Sequence, residues 1–166
     1  MNIKLKKLPT LLLVSDNPLT VGFFEGVVDK LEEYALITSS SERDALESLE
    51  KVFVSFIVID DKIVDTIALC SKIRALKEHE HTPILVITGQ LKKSFIRNVM
   101  KAGATDFLAE PLEEDEFLMR MEVAQKATQT QAKMVSLSSR VPKQEEDASL
   151  GKRTVKKNPP KKESSS

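Results

Sequence analysis

Four places along the chain put an acid or a hydroxyl directly after a short apolar run: Ser15-Asp16, Asp60-Asp61, Thr88-Gly89 and Glu110-Pro111. Carboxylates brought close together repel each other unless a cation joins them or one keeps its proton. A hard, oxygen-liganded ion resolves that conflict, and Mg²⁺ typically takes one or two carboxylates together with waters and phosphate oxygens. A carboxylate can also be a nucleophile towards phosphorus, forming an acyl phosphate. The chemistry implied is that of an acidic, Mg²⁺-capable pocket with a hydroxyl nearby. Each acid alone equally suits a turn or a helix cap. The weight lies in their joint position.

The elements that must hold these residues alternate in period. Leu11 to Val14, Phe56 to Ile59 and Pro83 to Ile87 are continuous apolar runs, as expected of strands buried on both faces. Ala35 to Thr38 and Asp106 to Leu108 are two weaker strands. Between them lie helix-period stripes: Phe24, Val27, Val28 and Leu31; Ala45, Leu46 and Leu49; Ile67, Cys70, Ile73 and Leu76; Phe95, Ile96, Val99 and Met100. Asn17-Pro18 suits a helix start, Ser41 with Asp44 a capping signal, and Gly103 a C-terminal cap. Glu113 to Glu116 place negative charge where a fifth helix begins. Five β–α pairs predict an α/β fold: a doubly wound, five-stranded parallel sheet with helices on both faces. In such sheets the ligand site lies outside the carboxyl ends of the strands. Asp16 and Asp60 end the first and third strands, which a doubly wound order places side by side.

Composition narrows the function classes. The 166 residues suit one domain, and 41% of them are hydrophobic, an ordinary share for a globular chain. Cys70 is the single cysteine, which excludes an internal disulfide and a Cys-based zinc site and suits a reducing, cytoplasmic compartment. The run Leu11 to Val14 after Lys4, Lys6 and Lys7 is too short for a signal sequence. No segment approaches the roughly 20 apolar residues of a membrane helix. The net charge of zero hides a division: residues 1–128 carry 16 Lys/Arg against 21 Asp/Glu, and residues 129–166 carry 9 against 4. The expected organisation is a folded domain over 1–128 and a disordered basic tail over 129–166, where helix periodicity fades and apolar residues are few. The tail is too irregular for a helix-turn-helix. Its Lys/Arg residues from Lys152 onward could meet nucleic acid by counterion release, but no aromatics interleave them, so a solubilising role is favoured.

The blocks Leu-Leu-Leu-Val-Ser15-Asp16-Asn, Phe-Ile-Val-Ile-Asp60-Asp, Thr82-Pro-Ile-Leu-Val-Ile-Thr88-Gly and Ala102-Gly-Ala-Thr-Asp-Phe107-Leu-Ala-Glu110-Pro111-Leu resemble the receiver domain of two-component response regulators. They stand in the family's order over nearly all of residues 9–127, and Lys72-Ile73-Arg74-Ala75-Leu76 adds to the likeness. The resemblance implies a flavodoxin-like (βα)₅ receiver fold and a phosphorelay role, with Asp60 as phosphoacceptor. It implies Mg²⁺ held by Asp16, Asp60 and the backbone carbonyl of Lys62. Thr88 would contact the phosphoryl group, and Phe107 would be the aromatic whose rotamer reports the state of the site. The partners implied are a histidine kinase or a phosphotransfer protein, with helices 4 and 5 as the usual output face.

Three departures from the family pattern bear on that role. Ser15 replaces an acid that helps hold Mg²⁺, and the loop after Asp60 is about two residues short and lacks the usual Pro and Gly. Glu110 replaces the Lys that pairs with the phosphoryl oxygens. At roughly 5 Å and an effective dielectric near 20, one unit of charge is worth about 3 kcal/mol, and this exchange moves two units. Lys92 or Lys93 could compensate, but the pair is read first as a solvated helix start. Three functions are therefore weighed: a stand-alone phosphate-accepting receiver, a phosphorylation-independent pseudo-receiver serving as an interaction module, and a small Mg²⁺-dependent phosphatase with an Asp nucleophile. The last is disfavoured, because Lys62 rather than an acid stands two residues after Asp60 and no cap is inserted.

Overall fold

The computed structural model describes residues 8–138. Five strands, β1 (Thr10–Val14), β2 (Ala35–Ser39), β3 (Phe56–Asp60), β4 (Ile84–Thr88) and β5 (Asp106–Ala109), form one sheet in the order β2-β1-β3-β4-β5. Every pairing is parallel. The helices α1 (Pro18–Leu31), α2 (Glu42–Lys51), α3 (Thr66–Ala75), α4 (Lys93–Ala102) and α5 (Glu114–Ser138) alternate with them. This is the expected doubly wound, flavodoxin-like receiver fold. The unbroken apolar runs are explained by the two cores they serve. Leu12, Val14, Ile57, Ile59, Ile84 and Val86 pack with residues of α2, α3 and α4. Leu11, Leu13, Phe56, Val58, Leu85 and Ile87 pack with residues of α1 and α5.

Local signals set the helix ends. Asn17 caps α1 by accepting the Leu19 N–H at 3.0 Å, with Pro18 in the first turn. Ser41 caps α2 through the Asp44 N–H at 3.1 Å. Gly103 closes α4 at φ 123°, and a Cβ there would lie 2.5 Å from Cγ of Arg74. Glycine is required at that point twice over, by conformation and by space. Arg74 itself joins the amino-terminal side of the sheet, donating to the carbonyls of Gly103 (2.9 Å), His79 (2.8 Å) and Thr82 (2.6 Å).

Two expectations are corrected. The buried stripe of α3 is Thr66, Leu69, Cys70 and Ile73, with Ile67 at its margin and 37% exposed. Asp65 caps the Ala68 N–H, and that start sets the helix phase so that Leu69 rather than Ile67 faces the sheet. The helical part of the chain also does not end at residue 128, because α5 continues to Ser138. Residues 129–138 contain no Pro or Gly, and adding turns to an existing helix costs far less than starting one. The rest of the expected disordered tail, from residue 139, lies outside the described residues.

Phe117 of α5 is fully buried and meets Phe24 edge-on at 4.9 Å and Phe56 at 6.4 Å between ring centroids. Phe117→Ala is expected to cost about 3–5 kcal/mol. Urea denaturation followed by circular dichroism checks this, and an unchanged midpoint would contradict the packing described.

Candidate functional site at the carboxyl ends of the strands

The parallel register assembles the site. Val14 lies opposite Ile59, so Ser15 comes level with Asp60. The ladder continues past the strands: Ser15 N–H donates to the Ser39 carbonyl (2.9 Å), Asp61 N–H to Ile87 (3.1 Å) and Glu110 N–H to Thr88 (3.2 Å). The backbones of Ser15, Asp61 and Glu110 are thereby pinned at neighbouring strand ends.

Asp60 is only 2% exposed, and its carboxylate is held from both sides. Ser15 Oγ donates to Oδ2 at 2.9 Å, and the Lys62 backbone N–H donates to Oδ1 at 3.1 Å. Ser15 Oγ in turn accepts the Asn17 N–H at 3.2 Å. Thus the residue standing in place of a family acid has become a donor to the central carboxylate. Asp16 is exposed at the end of β1. Thr88 is fully buried at the end of β4; its Oγ accepts the Gln90 N–H at 2.8 Å and makes a long 3.4 Å contact to the Gln90 carbonyl. Phe107 is half-buried on β5 beneath Arg120, whose guanidinium carbon lies 5.5 Å from the ring centroid. Arg120 also donates to Asp106 (3.0 Å) and Glu116 (3.1 Å).

Sequence reasoning missed two features here. The first is the side chain of Lys62. Its ammonium lies 2.9 Å from Glu110 Oε2, with the two side chains 55% and 29% exposed. The hydrogen bond and charge of Glu110 raise the Lys62 pKa. Lys92 and Lys93 are exposed at the start of α4, as a solvated helix start requires, and among the described residues neither is in an ion pair. Lys62 pairs there because its own backbone is tied to Asp60, across the pocket from Glu110. An unlike charge at position 62 facing the unusual Glu110 was the available signal.

The second is Asp61. Both of its carboxylate oxygens are buried with no hydrogen-bond partner, as is Glu110 Oε1. Burial raises the Asp61 pKa, partly opposed by the Thr88 hydroxyl and reinforced by the charges of Asp60 and Glu110. The Thr88 hydroxyl is near enough to influence Asp61, while its hydrogen-bond geometry is directed at Gln90.

The donor set is all oxygen. Orphaned carboxylate oxygens beside Asp60 suit a hard cation in kind, since Mg²⁺ needs only one or two carboxylates and fills its shell with water. Among the described residues no three His, Cys, Asp or Glu side chains form a metal cage. Likewise, no described helix is long and apolar enough to cross a membrane.

Known proteins share this fold. A sequence profile of the response regulator receiver domain matches residues 11–122. The chain is 24% identical over 108 residues to the signal transduction histidine-protein kinase BarA of Escherichia coli, aligning 64% of this chain with 12% of that protein. It thus spans about an eighth of the curated relative's length. Among solved structures, a putative response regulator from Chloroflexus aurantiacus superposes with a TM-score of 0.67 at 28% identity, covering 72% of this chain and 99% of that one. The chemotaxis response regulator CheY4 of Vibrio cholerae gives 0.66 at 19% identity over 71% and 99% of the two chains. The receiver domain of a sensor histidine kinase from Pseudomonas aeruginosa, described with magnesium coordinated in its active-site cleft, gives 0.62 at 24% identity over 74% and 98%.

Asp61 sets a pH-dependent prediction. A carboxyl whose pKa is higher folded than unfolded makes the fold less stable as pH rises from the ordinary carboxylate value through the folded one. Asp61→Asn is therefore expected to raise the denaturation midpoint at pH 7 in metal-free buffer, with the advantage shrinking as pH falls through the raised folded value to the ordinary carboxylate value. A constant difference at all pH values would contradict it.

Proposed function

We propose, because this chain belongs to the response regulator receiver domain family, that it accepts a phosphoryl group on Asp60 and signals through protein–protein contacts. The phosphate donor would be a histidine kinase or a phosphotransfer protein. The observation that carries this is the state of Asp60: it is buried at the carboxyl end of the central strand, with its carboxylate plane set by Ser15 and Lys62. Fixed orientation of a nucleophile lowers the entropic cost of attack. One Asp60 oxygen attacks phosphorus, the P–O bond forms as the P–N bond of a phosphohistidine breaks, and the electron pair returns to the imidazole. The Thr88 hydroxyl holds the Gln90 carbonyl only at 3.4 Å, a contact easily given up to a phosphoryl oxygen. Its movement would open space for Phe107, whose ring is tied to α5 through Arg120.

Asp16, Asp60 and the Lys62 carbonyl would hold Mg²⁺, which when bound offsets the charge of the carboxylates and of the phosphoryl group. The protein is then a cytoplasmic signalling domain over residues 1–128, followed by a solubilising basic segment. Glu110 favours a second function, a pseudo-receiver that docks partners without phosphate, because a carboxylate stands where the family cation meets the phosphoryl oxygens.

Incubation with phosphoramidate and Mg²⁺ is expected to add about 80 Da to the intact mass, the mark of one phosphoryl group. The adduct should disappear in Asp60→Ala. No adduct on the wild-type chain would favour the pseudo-receiver.

A further inference from the structure

We propose that Lys62 is the cation that meets the phosphoryl group on Asp60, and that Glu110 is the resting dock from which it is released. This rests on Asp60 being the acceptor. Among the strand-end residues Ser15, Asp16, Asp60, Asp61, Lys62, Thr88 and Glu110, Lys62 alone is cationic. Its two ends span the pocket. The backbone N–H donates to Asp60 Oδ1 at 3.1 Å, while the ammonium sits 2.9 Å from Glu110 Oε2. The flexible four-carbon stem joins an anchored base to a mobile tip.

Charge then decides where that tip goes. The Lys62 side chain is more than half exposed, and an ion pair in that setting is held weakly. A phosphoryl group brings a charge near −2 and three acceptor oxygens, against the single charge of Glu110. Lys62 therefore exchanges one acceptor for a stronger one nearer its own backbone. Glu110 is left with both carboxylate oxygens unpaired, since Oε1 already lacks a partner. It follows that Lys62 and the departure at Glu110 act as one feature: the cation stands on the other side of the pocket, and Glu110 stores it. Glu110 also competes with the phosphoryl group for that cation, so removing its charge should assist the reaction.

The test uses the full chain and phosphoramidate as donor. Asp60 oxygen attacks phosphorus, the P–N bond breaks, and ammonia leaves with the electron pair. Gain and loss of the adduct are followed by intact mass for wild type, Lys62→Gln, Lys62→Arg, Lys62→Glu, Glu110→Gln and the double variant Lys62→Glu with Glu110→Lys. Losing one charge-assisted contact is expected to slow labelling about tenfold in Lys62→Gln. Lys62→Arg should stay near wild type, and Glu110→Gln should be faster. Lys62→Glu should be slower than Lys62→Gln, and adding Glu110→Lys should restore it. That restoration shows that the pocket needs a cation, and the split between Lys62→Gln and Lys62→Arg, which a merely structural side chain would not show, assigns it to position 62. Equal labelling of wild type and Lys62→Gln overturns the role of Lys62 and leaves Asp60 as acceptor, as does equal loss in Lys62→Gln and Lys62→Arg. No adduct on wild type overturns both.

Discussion

The parallel ladder joining β1, β3 and β4 is the constraint on which the rest of the molecule depends. Its strands are buried on both faces, so after Thr10 every residue in them is apolar until the chain emerges at the carboxyl edge. A parallel pair also cannot slip by one residue without turning its side chains from one core to the other. The two cores, one under α1 and α5 and one under α2, α3 and α4, therefore hold the register. The register in turn sets Ser15 beside Asp60 and ties Asp61 and Glu110 to the next strands. The polar site is a product of apolar packing.

Inside that site the usual logic of charge is rearranged rather than abolished. A serine donates to the central carboxylate where an acid would repel it, and a lysine from the β3–α3 loop neutralises the glutamate at the end of β5. Asp61 stays unsatisfied, its carboxylate oxygens buried without donors. A group of this kind is costly in a site with no other purpose, because an unpaired buried polar atom forfeits its hydration.

Much of this was legible in the chain itself. The strand ends, the caps at Asn17 and Ser41 and the turn at Gly103 follow from local chemistry, which depends on a few neighbouring residues. The joint placement of Ser15, Asp60, Thr88 and Glu110 follows from topology, because parallel strands deliver their ends to one edge. What escaped depends on distance in sequence or on competing local choices. The partner of Glu110 lies 48 residues away, and no periodicity encodes it. The phase of α3 turned on Asp65 rather than on the apolar pattern, since both Ile67 and Leu69 suit a buried stripe. The length of α5 past residue 128 reflects helix propagation without burial, which a search for buried faces cannot detect.

Arg74 gives the molecule a mechanical polarity. At the amino-terminal edge of the sheet one half-buried guanidinium staples the end of α4, the turn after α3 and the entry to β4 through three carbonyls. At the opposite edge the corresponding cation, Lys62, rests on a single carboxylate in contact with solvent. One pole is riveted and the other is sprung. The carboxyl edge is thus a compliant rim on a stiff base, and a charge arriving there meets side chains that can yield before the amino-terminal edge does.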